Sequence, residues 1–234
     1  MSGWLRGLDV PSRAIVRDGV AVGIATGAYG LSFGAISVAA GLDVWQSCAL
    51  SLLVFTGASQ FALVGVIASG GAPVLAAVSG LLLGTRNTLY GLKVAPMLGW
   101  QGWRRVAAAH LLIDESTAMS ITRTNREEAR VGFLSTGLSI FVLWNLATLL
   151  GALAGDSLGD PRTYGLDAAV SGAFLALLWP RLDSTRNRVA AVLGAAVALC
   201  FVPLTPSGVP VLAASVVAVG MALMARDEQP AEES

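Results

Sequence analysis

Charged residues are scarce in this chain of 234 residues. Asp, Glu, Lys and Arg make up 13% of it, whereas 55% is hydrophobic and the mean hydropathy is +0.70. Soluble domains usually carry about 25% charged residues. Half that share cannot cover a water-facing surface of this size, which excludes a soluble protein. The 15 basic residues balance the 15 acidic ones, so a nucleic-acid partner has no electrostatic support either.

Residues that bind metals or carry redox chemistry are also few. The chain has two cysteines, Cys48 and Cys200, and a single histidine, His110. Both cysteines lie in apolar runs, so we interpret them as small buried hydrophobic residues rather than as a disulfide or metal ligands. The sequence contains no H-E-x-x-H, G-x-S-x-G or P-loop motif. We therefore expect no enzyme, no ATPase, no cofactor and no metal site.

Long apolar runs are what the sequence has instead. No charge occurs over the 42 residues from Val44 to Thr85, and a membrane-spanning helix needs about 20. The sequence predicts an all-α integral membrane protein, a polytopic helical bundle of seven or eight transmembrane segments, with eight favoured. The predicted spans are Gly19–Ala40, Ser47–Ser69, Ala72–Leu98, Val106–Thr122, Val131–Gly155, Leu166–Trp179, Val189–Val202 and Val209–Ala225.

These spans form one predicted transmembrane domain over residues 19–226. A cytoplasmic segment over residues 1–18 precedes it and a polar tail over residues 227–234 follows. Eight spans place 10 Lys and Arg residues in cytoplasmic segments and 3 in outer loops, which favours cytoplasmic termini. Arg104 and Arg105 do not fit, because this topology puts them outside. Seven spans therefore stays an alternative.

Two short matches suggest an internal duplication. Gly41–Asp43 resembles Gly165–Asp167, and residues 69–77 resemble residues 207–214 in the same order. Repeats of about residues 19–98 and 131–225 would fit secondary transporters, whose sites lie near the bilayer midplane at broken helices. Chance similarity is the alternative in a chain so rich in Gly, Ala, Val and Leu.

Polar residues inside predicted spans are the candidate functional residues, because lipid penalises them. One group contains Arg86, Asn87 and Tyr90, with Arg86 and Tyr90 on the same helical face. A second contains Asp114 and Glu115. These carboxylates could exchange protons, or could form a buried ion pair with Arg86, and both roles can hold.

A third group lies at the centre of its apolar segment. Ser59 and Gln60 could hydrogen-bond a ligand at an unwound turn, or could join neighbouring helices. Phe55 and Phe61 flank them and would suit an apolar side chain. Gly23, Gly27, Gly30 and Gly34, in contrast, form one stripe of small residues, for which we expect close helix packing.

The order of several motifs resembles the AzlC family, the large subunits of bacterial branched-chain amino acid exporters. The resemblance covers residues 16–122 and depends on short strings of sequence. These strings are Gly30–Gly34, Ala40–Leu42, Leu53–Phe61, Gly71–Pro73, Arg86–Gly91, Ala95–Pro96 and Asp114–Glu115. Three positions depart from the family's usual pattern, namely Gly84, Asn87 and Ile113, so a titratable side chain beside Arg86 is absent.

The resemblance implies export of hydrophobic amino acids across the bacterial inner membrane, driven by an ion gradient. It also implies a separate small membrane partner of the AzlD type. The expected substrate-binding residues are Phe55, Ser59, Gln60, Phe61, Arg86, Asn87 and Tyr90, and the expected proton-coupling residues are Asp114 and Glu115. The alternatives are a small-solute channel, a non-transporting membrane assembly subunit and, last, an intramembrane enzyme.

Overall fold

A computed structural model describes residues 10–157, 182–206 and 208–227, with isolated positions 172, 175, 178 and 179. All regular structure in these residues is helical, as predicted. The helices are α1 Val10–Gly27, α2 Tyr29–Ala39, α3 Val44–Leu53, α4 Ala58–Ala68, α5 Pro73–Gly84, α6 Arg86–Leu98, α7 Gly102–His110, α8 Asp114–Ile121, α9 Arg126–Ser157, α10 Thr185–Phe201 and α11 Val209–Asp227. Most of the sixth predicted span, Leu166–Trp179, lies outside the described residues, as do residues 1–9 and 228–234.

Helix α9 is the unbroken axis of the fold. Its 32 residues give a length of about 48 Å at 1.5 Å per residue. Helices α1 and α2 run parallel to it, since Gly23 faces Ser139 whereas Gly34 faces Thr148. A Cβ at Gly34 would collide with the Thr148 carbonyl. The glycine stripe is therefore a packing surface, as its spacing predicted.

Two of the predicted spans are kinked but keep their direction. Ala28 separates α1 from α2, and Thr85 separates α5 from α6. Both residues have helical dihedral angles, with φ −59° and ψ −28° at Thr85. Helices α5 and α6 therefore form one element over residues 73–98 that changes angle at its middle.

The predicted span Ser47–Ser69 instead doubles back on itself. The helix ends at Leu53, and residues 54–57 form a non-helical tip. The side chain of Gln60 reaches back to the carbonyl of Leu50, with its Nε2 atom 3.5 Å from that oxygen. A straight passage would separate these two residues along the helix axis, so α3 and α4 form a re-entrant hairpin.

The predicted span Val106–Thr122 is a second re-entrant hairpin. Contacts with α9 show its path: Trp100 packs on Phe133 and His110 on Phe141, with ring centroids 5.9 Å and 5.6 Å apart. The chain then returns, because the Ser120 hydroxyl lies 3.3 Å from the Ala129 carbonyl oxygen. Helices α7 and α8 therefore enter and leave at the same end of the bundle.

The count of eight spans is consequently not confirmed. The hairpin helices α3, α4, α7 and α8 have 8 to 11 residues, or about 12–17 Å, roughly half of a 30 Å hydrocarbon core. In the described part of the chain, two helices are long and apolar enough to cross a membrane. These are Ser12–Ala39, with its kink, and Arg126–Ser157.

The hairpins also change which loops share a side. Arg130 donates from Nε to the Leu98 carbonyl over 2.8 Å, so the loops before α7 and before α9 lie together at what we call the Arg126 end. The turns over residues 40–43 and 69–72 lie at the other end, the Asp43 end. The prediction that Arg104 and Arg105 face away from residues 123–130 is wrong, because Val106–Thr122 does not cross the bundle.

Several polar residues are buried in the bundle, whereas large apolar side chains are exposed on its outside. Ser37, Ser51 and Gln60 are fully buried. On the outside, in contrast, Leu53 and Leu81 are 76% and 73% exposed. An apolar surface with polar side chains buried between the helices is the arrangement expected where lipid, rather than water, surrounds the helices.

The predicted duplication stays a prediction. Gly70 and Gly208 both have positive φ, at +77° and +102°, shortly before helices that begin near a proline. Gly165–Asp167, which carries the other match, lies outside the described residues.

The glycine stripe supports a stability prediction. We expect Gly34→Ala to destabilise the protein by about 1–3 kcal/mol, because the backbone of α9 cannot move aside. The apparent Tm should fall by about 2–12 °C in a thermal scan of the purified protein. Gly220→Ala is the matched control, since a Cβ at this helical glycine meets nothing within 4 Å. Equal Tm values for the two variants would contradict the packing role.

Candidate functional site

The tips of the two hairpins meet beside the middle of α9 and enclose a cavity of about 300 Å³. Phe55 from one tip contacts His110 from the other, with ring centroids 6.2 Å apart. The cavity walls come from both tips, both helix kinks and α9. The lining residues are Thr26, Tyr29, Phe55, Thr56, Gly57, Ala58, Phe61, Arg86, Ile113, Asp114, Glu115, Ile140 and Trp144.

The first tip depends on Gly57 and Gln60. Gly57 has φ 51° and ψ −81°, a conformation that glycine adopts readily and other residues avoid. The Gln60 side chain is fully buried and accepts from the Gly57 N–H over 3.2 Å while it faces the Leu50 carbonyl. One amide thus satisfies the Gly57 N–H, adds a second donor to the Leu50 carbonyl on the other side of the break, and fixes the start of α4 at the cavity.

The second tip is held by Ser116 and Asn87. The Ser116 hydroxyl donates to the Leu111 carbonyl over 2.7 Å and accepts from the Ile113 N–H over 3.0 Å. Asn87 donates from Nδ2 of α6 to the Leu112 carbonyl over 3.0 Å. These bonds replace the helical ones that the break at residues 111–113 removes. They set the first turn of α8 against the cavity.

Asp114 and Glu115 occupy that first turn, where the partial positive charge of a helix N-terminus stabilises carboxylates. Arg86 donates from Nη1 to Asp114 Oδ2 over 2.9 Å, and the two side chains are 27% and 25% exposed. The ion pair therefore joins the kink of α5–α6 to the second tip. Its partial exposure leaves both groups in contact with the cavity.

Unused hydrogen-bonding capacity remains around the cavity. Three cavity-lining residues carry a buried donor atom without a hydrogen-bond partner among the described residues: Arg86 Nε, Thr56 Oγ1 and Trp144 Nε1. Burying such groups unsatisfied costs about 1–3 kcal/mol each, and all three residues line the cavity. The site can therefore offer donors to a polar molecule in addition to its ion pair.

Aromatic rings form the opposite, apolar wall. Phe61 and Trp144 are perpendicular, with ring centroids 6.4 Å apart, and both pack on Phe33. Phe55 packs edge-on against Phe141 at 5.0 Å. Such rings bury a large apolar area with little freedom to move. A charged end and a rigid apolar end suit a small zwitterion with a hydrophobic side chain.

The structure brings together five residues that the sequence singled out. Phe55, Phe61, Arg86, Asp114 and Glu115 all line the cavity, although their places were separated by up to 60 positions along the chain. Their roles in binding and proton coupling stay predictions.

The other four predicted residues lie outside this cavity. Ser59 and Gln60 are buried behind its wall, where Gln60 is occupied by the backbone of the first tip. Asn87 is bound to the second tip. Tyr90 packs beside the second apolar cluster, which contains Val94, Leu98, Leu112, Ala129 and Phe133. The structure thus gives Gln60 and Asn87 a structural place, because each holds a broken helix.

Sequence reasoning did not single out Thr26, Tyr29, Ile113, Ile140 or Trp144 as site residues. Trp144 had a signal, since Phe141, Trp144 and Asn145 place rings and an amide in the middle of an apolar helix. Such a group is also common in ordinary helix packing. Only the position of the hairpin tips shows which residues of α9 face the cavity.

The apolar surface, the buried polar residues and the hairpin-lined cavity define a helical membrane protein. The chain belongs to the AzlC protein family, which matches residues 21–158. This confirms the resemblance found in the sequence.

Three relatives illustrate the family's range. An uncharacterized membrane protein of Archaeoglobus fulgidus is 32% identical over 191 residues, 79% of this chain and 81% of that protein. An uncharacterized membrane protein of Helicobacter pylori is 26% identical over 73% of this chain and 75% of its own. The inner membrane protein YgaZ of Escherichia coli is 26% identical over 54% of each chain. No solved structure matches the chain.

The first tip supports a second stability prediction. We expect Gln60→Met to cost about 1–3 kcal/mol, because it leaves the partly buried Gly57 N–H without its hydrogen-bond acceptor. Chemical unfolding or a thermal scan of the purified protein would measure the loss. Gln101→Met serves as the control at an exposed glutamine. If both variants unfold alike, Gln60 does not hold the break.

Proposed function

We propose that this protein crosses the bacterial inner membrane several times, with both termini in the cytoplasm. The charges of the two ends support this orientation, because cytoplasmic loops are rich in Lys and Arg. The turns at the Asp43 end contain no Lys or Arg, whereas the Arg126 end is strongly basic. The basic residues there are Arg13, Arg17, Arg104, Arg105, Arg123, Arg126 and Arg130.

In this topology α1–α2, α5–α6 and α9 each cross the membrane, and the two hairpins enter from opposite sides. Gly208 approaches Leu75, where a Cβ would lie 3.0 Å from the leucine Cβ, so the loop between α10 and α11 belongs to the Asp43 end. Arg186 and Arg188 at the start of α10 then face the cytoplasm. The pair Arg104–Arg105, which disagreed with eight straight spans, agrees with this arrangement.

We further propose that the protein is a secondary transporter that exports branched-chain or other hydrophobic amino acids. The observation that carries this proposal is the cavity between two opposed hairpins at the centre of the fold. Its volume of about 300 Å³ is at the lower end of the range for small-molecule sites. Two hairpins that reach it from opposite sides could open it to either side in turn, as alternating access requires.

The cavity's two ends suit the parts of an amino acid. The substrate carboxylate would bind Arg86 or the first N–H groups of α4, since a guanidinium or a helix N-terminus binds anions. The substrate ammonium would bind Asp114 or Glu115. The side chain would lie among Phe55, Phe61 and Trp144. This binding mode needs no cofactor and no covalent step.

Proton coupling would arise by competition for one carboxylate. An ammonium group and a proton cannot both occupy Asp114 or Glu115, so proton entry from outside would release the substrate there. Export is then driven by the proton gradient without any ATP-binding domain. A channel lacks this competition, and it would show no accumulation against a gradient in proteoliposomes.

The small membrane partner remains part of the proposal on the strength of family membership. An AzlD-like subunit would be required for efflux if the site is completed or stabilised by a second chain. Efflux of labelled leucine from cells that express this chain with and without such a subunit tests the requirement. Full efflux by this chain alone would remove the partner from the proposal.

Carboxylate variants test the coupling. We expect Asp114→Asn or Glu115→Gln to lower proton-driven amino acid efflux by at least about tenfold, the effect of losing one charged hydrogen bond. Efflux would be measured in proteoliposomes over a range of pH. Asp156→Asn, an exposed carboxylate at the end of α9, is the control. Wild-type rates at every pH in both test variants would exclude coupling through this pair.

Cysteine labelling tests the topology. In a background with Cys48 and Cys200 replaced, we expect Gln101→Cys and Thr124→Cys to be labelled from the cytoplasmic side. Ala72→Cys should be labelled from the outside, because it lies at the Asp43 end. A membrane-impermeant maleimide on intact cells and on inverted vesicles measures this. Labelling of positions 101 and 124 from opposite sides would contradict the hairpin and support a straight membrane-crossing helix between them.

A further inference from the structure

A second, larger cavity of about 500 Å³ opens on the surface between α6, α7 and α9. Its walls are mostly apolar, and Leu92 on its rim is 72% exposed. Helix α6 borders it from Asn87 to Leu98, over about 18 Å, which is slightly more than the roughly 15 Å of hydrocarbon in one leaflet. We call it the α6–α7 groove.

The groove ends at a basic, aromatic turn. Trp100 and Arg105 line it, and both also line a neighbouring cavity of about 320 Å³. The Arg130 guanidinium lies over the Trp100 ring, 5.6 Å from its centroid. The Arg126 guanidinium lies against Gly99: a Cβ built on this glycine would be 3.1 Å from the arginine Cζ. One cationic side chain, Arg105, therefore lines the smaller cavity, and Arg126 and Arg130 each contact a residue of its wall.

No carboxylate offsets these cations within the cavities. Among the described residues that line either one there is no Asp or Glu. Glu127 and Glu128 lie in the first turn of α9 but line neither cavity. Arg105 is exposed, and the two ion pairs found in the described part of the chain do not involve it. Its charge is available to an anion.

We propose that the α6–α7 groove and its basic end bind one anionic phospholipid. An acyl chain would lie along the apolar groove, and the phosphate would contact Arg105 near Arg126 and Trp100. A molecule with an anionic head and a chain about one leaflet long matches both parts at once. Anionic lipids are attracted to basic pockets between helices at the cytoplasmic face of a membrane.

The site also touches the transport machinery. Asn87 and Leu112 both line the groove, and the bond between them holds the tip of the second hairpin. A lipid chain here would pack against α7, a helix without any buried residue of its own. The bound lipid would thus stabilise the hairpin that carries Asp114 and Glu115.

Native mass spectrometry of the purified protein tests the proposal. The probes are phosphatidylglycerol and phosphatidylcholine with identical acyl chains, and glycerol 3-phosphate as the free headgroup. We expect retention of phosphatidylglycerol over phosphatidylcholine. Arg105→Ala should weaken phosphatidylglycerol binding about tenfold, as for the loss of one charge-assisted hydrogen bond. Arg104→Ala is the matched control, because its guanidinium lies against Trp103 and lines neither cavity.

A second variant removes the groove and leaves every charge in place. Ala109→Phe should fill the groove and lower phosphatidylglycerol binding, even if Arg105→Ala fails to fold. Equal losses in the two arginine variants would mean diffuse electrostatic attraction and overturn the proposal. Equal retention of both lipids would also overturn it. Competition by glycerol 3-phosphate as strong as by the lipid would overturn it too, because the site would then bind a free phosphate. It would also be overturned if the thiol of Ala109→Cys were protected from maleimide only when a small membrane subunit is bound, because a protein would then cover the groove.

Discussion

A helix that breaks inside a lipid bilayer exposes backbone N–H and C=O groups that lipid cannot satisfy, and this structure depends on how those groups are paired. Each unsatisfied group costs several kcal/mol in hydrocarbon. Gln60 accepts the Gly57 N–H at one break, and Ser116 with Asn87 pairs backbone groups at the other. These side chains therefore stabilise both breaks. The polar residues that are energetically unfavourable in an apolar segment therefore stabilise the helix breaks that line the cavity.

The unbroken helix α9 provides the continuous surface on which the broken elements pack. Glycines of α1 and α2 let both helices lie directly on its backbone, so the hairpin tips have a fixed surface to meet at Phe141 and Trp144. Close packing of small residues replaces the hydrophobic driving force that lipid removes. The centre of the fold is thus rigid on the α9 side, whereas the hairpins approach it from either end. The proposed transport mechanism would use this combination of a fixed wall and two hairpins that enter from opposite ends.

The charged residues lie at two places on the second hairpin, its tip and its base. Arg86 and Asp114 pair where the kink of α5–α6 meets the second tip, and the arginines of the Arg126 end collect around the base of that same hairpin. The ion pair faces the cavity, and the basic end faces the groove between α6 and α7. One hairpin therefore connects the proposed substrate site to the proposed lipid site.

The sequence by itself determined the helical class, the membrane environment, the packing role of the glycine stripe and the family. Composition and short motifs are sufficient for these, because they reflect the solvent and the local spacing. It also selected Phe55, Phe61, Arg86, Asp114 and Glu115, since charges and rings in apolar runs are conspicuous. Only the tertiary structure decided that Ser47–Ser69 and Val106–Thr122 turn back, because hydropathy measures the length of an apolar run and not its direction. For the same reason the place of Trp144 in the cavity, and of Gln60 and Asn87 behind it, required the folded chain.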